Sequence, residues 1–303
     1  MKRAFFITFF IAIAVTILLV FRGCNSCSQK PEQGGKPITP TPTPTQKDLN
    51  ITILLDLSNR IDTNKNPEQW RYDIENIKVI TEFFKSKIKN NPHFYKGKIR
   101  THLLPLPSNN LKMNSIVSGL EFNCPGNAVG NKEIYDSIAK RYEQSLREIY
   151  TQTIDAGNWQ RGSDIWGFFQ DEVHRCIEKD TIYRNILVIF TNGYLYANGR
   201  VDAKWNNTTS IQPAYLARYR NPNWRALIDK DDVSIRSIRN DLQNLEILVL
   251  EIKSENEFVD EENILIHLWE EWFKKMGVKE GNFKVFKSTL PSMRKADIEN
   301  FLN

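Results

Sequence analysis

Three short, mostly apolar runs set the frame for this chain: Asn50–Asp56 (NITILLD), Arg184–Phe190 (RNILVIF) and Leu245–Glu251 (LEILVLE). Each is as long as a strand, and none shows the strict polar–apolar alternation of a strand with one wet face. A near-continuous Ile, Val and Leu run is what a strand covered on both faces requires. Between these runs the apolar spacing changes to the helical period. Trp70, Ile74, Ile77, Thr81, Phe84 and Ile88 share one face of a segment that Pro67 opens. Ile134, Ile138, Tyr142, Leu146 and Ile149 share one face of another, with Asn131 as its cap. Further strands are predicted at Lys98–Leu104 and Phe283–Phe286, and further helices from Ser163 to about Lys179, over Ile264–Met276 and after Pro291. Strands alternating with helices predict an α/β fold: a doubly wound, mostly parallel sheet with helices on both faces. Ligands of such sheets bind beyond the carboxyl ends of the strands, so the loops there are the place to look for function.

The residues before the first strand are of another kind. Ala4–Phe21 is an uncharged run of 18 residues, about 27 Å long as a helix, which matches the hydrocarbon core of a bilayer. Lys2 and Arg3 before it favour a cytoplasmic N-terminus and leave everything after Arg22 on the far side. The expectation is a transmembrane anchor or signal segment over 1–22, touching membrane through residues 4–21. It places the protein in a bacterial inner membrane as a single pass, with its domain in the periplasm or outside the cell. Gly23-Cys24 offers the alternative of a lipid anchor at Cys24, although Phe21 and Arg22 depart from the small residues usual before a lipidated cysteine. A Pro/Thr-rich linker over 23–48 follows. Its TPTPTPT stretch excludes helix and ladder alike, because Pro lacks an N–H and holds its predecessor extended. Residues 49–303 make up the α/β domain.

The chain has 41 Lys and Arg against 36 Asp and Glu, a formal net charge of +5. Residues 1–47 hold six basic side chains and one acid, so residues 48–303 carry 35 of each. The basicity belongs to the tether, which removes the electrostatic case for nucleic-acid binding by the domain.

Three loops are expected to meet at the carboxyl edge of the sheet. Asp56-Leu57-Ser58-Asn59-Arg60 follows the first strand, Arg161-Gly162-Ser163-Asp164-Ile165 opens a helix, and Thr191-Asn192-Gly193 follows the strand ending at Phe190. In this order and on these elements they resemble the von Willebrand factor A domain, over about residues 49–303. That family carries an Asp-x-Ser-x-Ser loop, a Gly-Thr-Asp-Ile-like loop and a Thr-Asp-Gly turn, which together form a metal-ion-dependent adhesion site. The resemblance implies a cation site at Asp56, Ser58, Ser163 and Asn192 for Mg²⁺ or Mn²⁺, completed by an acidic side chain of a protein partner. Ser163 stands where the family has Thr and keeps the hydroxyl. Arg60 replaces the second Ser, and Asn192 replaces the Asp of the turn. Both changes oppose a cation electrostatically. Arg60 can instead pair with Asp56 and present its fork of donors to an acidic partner. The plain alternative is that Asp56, Ser58 and Ser163 cap helices and stabilise loops.

A long insertion, about Tyr194 to Asp232, leaves the same edge and carries Trp205, Tyr215, Arg218, Tyr219, Arg220 and Trp224. Aromatics with Arg are favoured at binding hot spots, so with Arg60 these are the candidate partner contacts. Alternatively they form a lid that packs its aromatics inward. Cys124 and Cys176 are the one pair available to the domain for a disulfide in an oxidising compartment. Other classes remain to be weighed against a binding module. A Mg²⁺-dependent phosphotransfer or hydrolytic enzyme would use Asp56, but Ser58 stands where such enzymes need a second Asp. No Gly-rich phosphate loop or Gly-x-Ser-x-Gly elbow is present, so no catalytic residue is assigned. A structural component of an envelope assembly is the third reading.

Overall fold

The computed structural model describes residues 47–105, 111–157, 162–196 and 206–303. The anchor at 1–22, Cys24, all but the last two residues of the linker, and Trp205 lie outside them. Among the described residues no helix is long and apolar enough to cross a membrane.

The strands are β1 (Asp48–Asp56), β2 (Lys98–Leu104), β3 (Phe122–Asn123), β4 (Tyr183–Phe190), β5 (Asn207–Thr208), β6 (Ser234–Ile235), β7 (Leu245–Ile252) and β8 (Phe283–Lys287). Six of them form the central sheet in the order β3-β2-β1-β4-β7-β8, and β5 pairs with β6 apart from it. All neighbours in the central sheet run parallel except β3, which is antiparallel to β2. The order reverses between β1 and β4, the switch point of a doubly wound sheet.

Both faces of this sheet are buried, as the apolar runs require. On one face Ile51, Ile53 and Leu55 of β1, Ile186, Val188 and Phe190 of β4, and Leu248 and Leu250 of β7 share a core. It is covered by α1 (Gln69–Asn90), α4 (Ile138–Asp155) and α9 (Pro291–Leu302). On the other face Leu54, Leu187, Ile189, Ile247 and Val249 pack beneath α5 (Ile165–Asp171) and α8 (Glu261–Lys275). The insertion after β4, with α6 (Pro213–Leu216) and α7 (Trp224–Lys230), adds Leu216, Tyr219, Trp224 and Ile228 to this second core.

Several element boundaries differ from expectation. The helix predicted from Asn131 is two, α3 (Lys132–Asp136) and α4, which meet at Ser137. The Ser137 hydroxyl donates to the Ile134 carbonyl at 2.7 Å, a local bond that competes with the helical ladder. Asn131 makes no side-chain cap bond. The helix predicted from Ser163 to Lys179 is the short α5, ended by a 3₁₀ turn over Val173–Cys176. Its cap is Asp164, whose Oδ1 accepts the Gly167 amide at 2.7 Å. The first helix begins at Gln69 rather than at Pro67. Helix α2 (Leu111–Ser118) and the two-residue β3 lie outside the predicted elements.

Cys124 and Cys176 do not pair. Both are free and buried, and they belong to the two different cores, with the sheet between them. Burial pushes the Cys176 thiol above its ordinary range. In unfolded, unreduced protein each of these cysteines is therefore expected to take up iodoacetamide fully, as read by peptide mass spectrometry. A Cys124–Cys176 cross-linked peptide would contradict this.

Candidate functional site

Leu55 of β1 lies opposite Phe190 of β4, so the next residues, Asp56 and Thr191, leave the sheet side by side at its carboxyl edge. Leu104, the last residue of β2, faces Asp56 from the other side. Backbone and side-chain groups at this edge must find partners in the loops, and the Asp56 carboxylate serves three of them. Its Oδ1 accepts the Ser58 amide at 2.9 Å and the Ser163 hydroxyl, and its Oδ2 accepts the Thr191 hydroxyl at 2.8 Å. Ser163 Oγ also lies 3.0 Å from the Leu104 carbonyl, a second acceptor for its proton. Asp56, Ser58, Ser163 and Thr191 are all buried.

The outer layer is made of amides. Asn192 turns its Oδ1 back to the Tyr194 amide at 3.3 Å and its Nδ2 toward Glu255 Oε1 at 3.1 Å. Asn59 Nδ2 reaches the same Glu255 oxygen, also at 3.1 Å. Asn59 Oδ1 is buried without a hydrogen-bond partner. Tyr196 lies against Gly162. That glycine sits at φ +71°, and a Cβ on it would stand 2.5 Å from the Tyr196 Cβ, so no other residue fits. The Tyr196 hydroxyl is pushed up to about 12, by burial first and then by the Glu255 and Asp56 carboxylates.

Arg60 turns away from this cluster. Its Nε donates to the Asp56 backbone carbonyl at 2.8 Å, and its Nη1 and Nη2 donate to Asp73 of α1 at 3.4 and 2.5 Å. Both side chains are fully enclosed, with exposures of 1% and 0%. Burial works most strongly against the Arg60 charge, but Asp73, Tyr150 and Asp56 together outweigh it and raise the guanidinium above its ordinary range. Asp73 also accepts the Tyr150 hydroxyl at 2.5 Å and Gln69 Nε2 at 3.2 Å. The network continues from Gln69 to Glu251 Oε2 at 3.0 Å, and Glu251 accepts Asn76 at 2.9 Å and Ser288 at 2.6 Å. Glu251 has a left-handed φ of +75° where the β7–β8 register shifts. Burial, and then Asp73, raises its carboxyl above the usual range.

The electrostatic consequence reverses the expectation for Arg60. Its charge is engaged by Asp73 within the buried network, and the carboxylates bonded to Ser163, Thr191, Asn59 and Asn192 at the edge are those of Asp56 and Glu255. Among the described residues no three His, Cys, Asp or Glu side chains are grouped as metal ligands. What meets at Asp56 is a carboxylate with hydroxyls, a donor set suited to a hard cation such as Mg²⁺ or Mn²⁺ rather than to Zn²⁺. The second acceptor at Leu104 lets Ser163 aim a lone pair at a cation while its proton stays bonded, and Asn59 Oδ1 is an oxygen in want of a partner. These residues fit such an ion.

Of the residues expected there, Asp56 and Ser163 meet directly, Ser58 contributes its amide, and Asn192 stands beside them against Glu255. Thr191 is an added member, signalled by its place just after a buried strand. Asn59 and Glu255 are further additions, and nothing in the local pattern around Glu255 marks it.

The insertion corrects the expected partner face. Tyr219 and Trp224 pack into the core, and Trp224 meets the His267 ring edge-on at 5.6 Å. Arg220 directs its Nε to the buried Glu261 at 2.5 Å and its Nη2 to the Pro213 carbonyl at 2.9 Å. Tyr215 is half-buried with its ring centroid 6.3 Å from that of Tyr219. Arg218 is exposed and pairs with Asp231 at 2.6 Å. A segment with large apolar side chains but no other cover keeps them out of water by packing on its own domain.

No family model matches the chain, and no curated protein sequence does. Among solved structures it is similar to the pilus adhesin SpaC from Lactobacillus rhamnosus GG, in its open conformation and in a second form. Identity is 9% and the TM-score 0.40 in each case, over 85% of this chain and 30% of the adhesin. The match thus spans less than a third of that protein's length.

Replacing Asp73 by Asn leaves Arg60 buried without a counterion. This is expected to lower the unfolding free energy in urea by about 3–5 kcal/mol, and Arg60→Met with Asp73→Leu is expected to recover most of the loss. An equal loss in the double variant would contradict the primacy of the ion pair.

Proposed function

We propose that the domain is a membrane-tethered, von Willebrand A-like protein-binding module of the bacterial cell envelope. In this reading a divalent cation, Mg²⁺ or Mn²⁺, at the carboxyl end of β1 captures an acidic side chain of a protein partner. The observation that carries it is the meeting of Asp56, Ser163 and Thr191, from three separate stretches of chain, around one carboxylate. Asp56, Ser58, Ser163 and Thr191 would hold the ion, with Asn192 at the rim. A shell of one carboxylate and neutral hydroxyls leaves the charge of a hard dication partly unmet, and an external carboxylate is the ligand that best completes it. The strand order and the position of the site at the switch point support the same reading. So does the pairing of Arg60 with Asp73, which takes the opposing charge out of the edge. The apolar run at residues 4–21 supports the tether, with Cys24 as the alternative point of lipid attachment.

Selection from a displayed random-peptide library against the full-length chain in Mg²⁺ tests this reading. Binders are expected to share an Asp or Glu whose replacement by Ala abolishes binding, and to be released by EDTA. Asp56→Asn, folded by circular dichroism, is expected to bind none of them. Binders that survive both EDTA and Asp56→Asn would overturn the reading.

A further inference from the structure

Asn192 gives the loop after β4 a neutral side chain, and an adjoining loop brings a carboxylate to it. The segment after β7 is clipped to that turn at two points: the Lys253 amide donates to the Asn192 carbonyl at 3.2 Å, and the Glu255 amide donates to the Tyr194 hydroxyl at 3.0 Å. Tyr194 is itself fixed, since its hydroxyl donates to the buried Glu261 at 2.5 Å. With its main chain pinned in this way, Glu255 extends its carboxylate between Asn59, on the loop that Asp56 opens, and Asn192, on the neighbouring loop after β4. Both amides bind Oε1, and neither uses Oε2.

We propose that Glu255 is the second carboxylate of the cation site, a ligand of the divalent ion held beside Asp56 that supplies the negative charge the neutral Asn192 does not. The inference rests on the cation reading above. Asn192 and Glu255 fit together as a pair: an amide N–H₂ at 192 attracts the Glu255 carboxylate, where an Asp would repel it. With Arg60 engaged by Asp73 inside the domain, the carboxylates of Asp56 and Glu255 are left with neutral hydroxyl and amide partners at the edge, and a dication would attract both. Glu255 is exposed, so an ion arriving from solvent meets it before it reaches the buried oxygens. The field of both carboxylates at the Tyr196 hydroxyl is a second sign that the two acids share one small region.

Calorimetric titration of the full-length chain with Mn²⁺ at fixed ionic strength tests this. Glu255→Gln is expected to weaken binding by about tenfold or more, because the charge of the ligand set governs affinity for hard cations. Adding Asn192→Asp to Glu255→Gln is expected to restore affinity to within about threefold, the charge having moved back by one loop. Glu257→Gln, which removes an exposed acid two residues away, is expected to change it less than about twofold. Glu255→Gln binding as tightly as wild type, with Asp56→Asn abolishing binding, would overturn the role of Glu255 and leave the cation site standing. Glu257→Gln weakening binding as much as Glu255→Gln would overturn it too, by reducing it to a general field. Wild-type protein that binds no Mn²⁺ would overturn both.

Discussion

A permanent cation buried next to a cluster of polar oxygens has to be neutralised, and Arg60 meets that demand through Asp73. The guanidinium cannot lose its proton, so folding the loop after β1 over it requires a carboxylate at hydrogen-bond distance. Helix α1 supplies one, and Tyr150 and Gln69 hold that carboxylate from two sides. The loop carrying Asp56 and Ser58 is thereby tied to the helix that covers one face of the sheet. Gln69 carries the link on to Glu251 and so to β7, two strands from β1 in the sheet. The residue that looks most hostile to a cation site thus anchors the loop on which such a site would stand.

The sheet explains why the polar groups collect where they do. From Ile53 to Leu55 of β1 and from Ile186 to Phe190 of β4 the side chains are apolar on both faces, so at this end of the sheet polar groups appear where the ladder stops. At the junction of β1 and β4 the register sets Asp56 beside Thr191, and the close approach at Gly162 brings in Ser163. The result is a buried carboxylate ringed by hydroxyls beneath an outer layer of amides and one exposed acid. Such an arrangement grades from a preorganised interior to an adjustable rim, as expected where an ion is held from one side and a partner completes its shell from the other.

Much of this was legible in the sequence, and the exceptions have physical causes. The strands β1, β4 and β7 stood out because burial on both faces leaves an unbroken apolar run, and Lys98–Leu104 matched β2 to the residue. The break at Ser137 was hidden because the apolar period continues through it, and β3 is too short to carry any pattern. Asp56 and Ser163 could be placed from their loops. Asp73 could not be placed as the partner of Arg60, because an acid beside the apolar stripe of a helix reads as a solvated position. The separation of Cys124 from Cys176 depends on which face each segment packs against, which residue spacing does not encode. Tyr219 and Trp224 show the same ambiguity from another side, since a loop that packs on its own domain has the composition of one that packs on a partner. Glu255 acquires its place only through the bonds of its loop to residues 192–194.

Anomalous diffraction from crystals grown in Mn²⁺ tests directly for the proposed ion at the carboxyl end of β1. A peak is expected within coordinating reach, direct or through one water, of the Asp56, Ser163 and Thr191 oxygens, with Glu255 turned toward it. Well-diffracting crystals with no anomalous peak at that position, or with Arg60 swung away from Asp73 into it, would contradict the cation site.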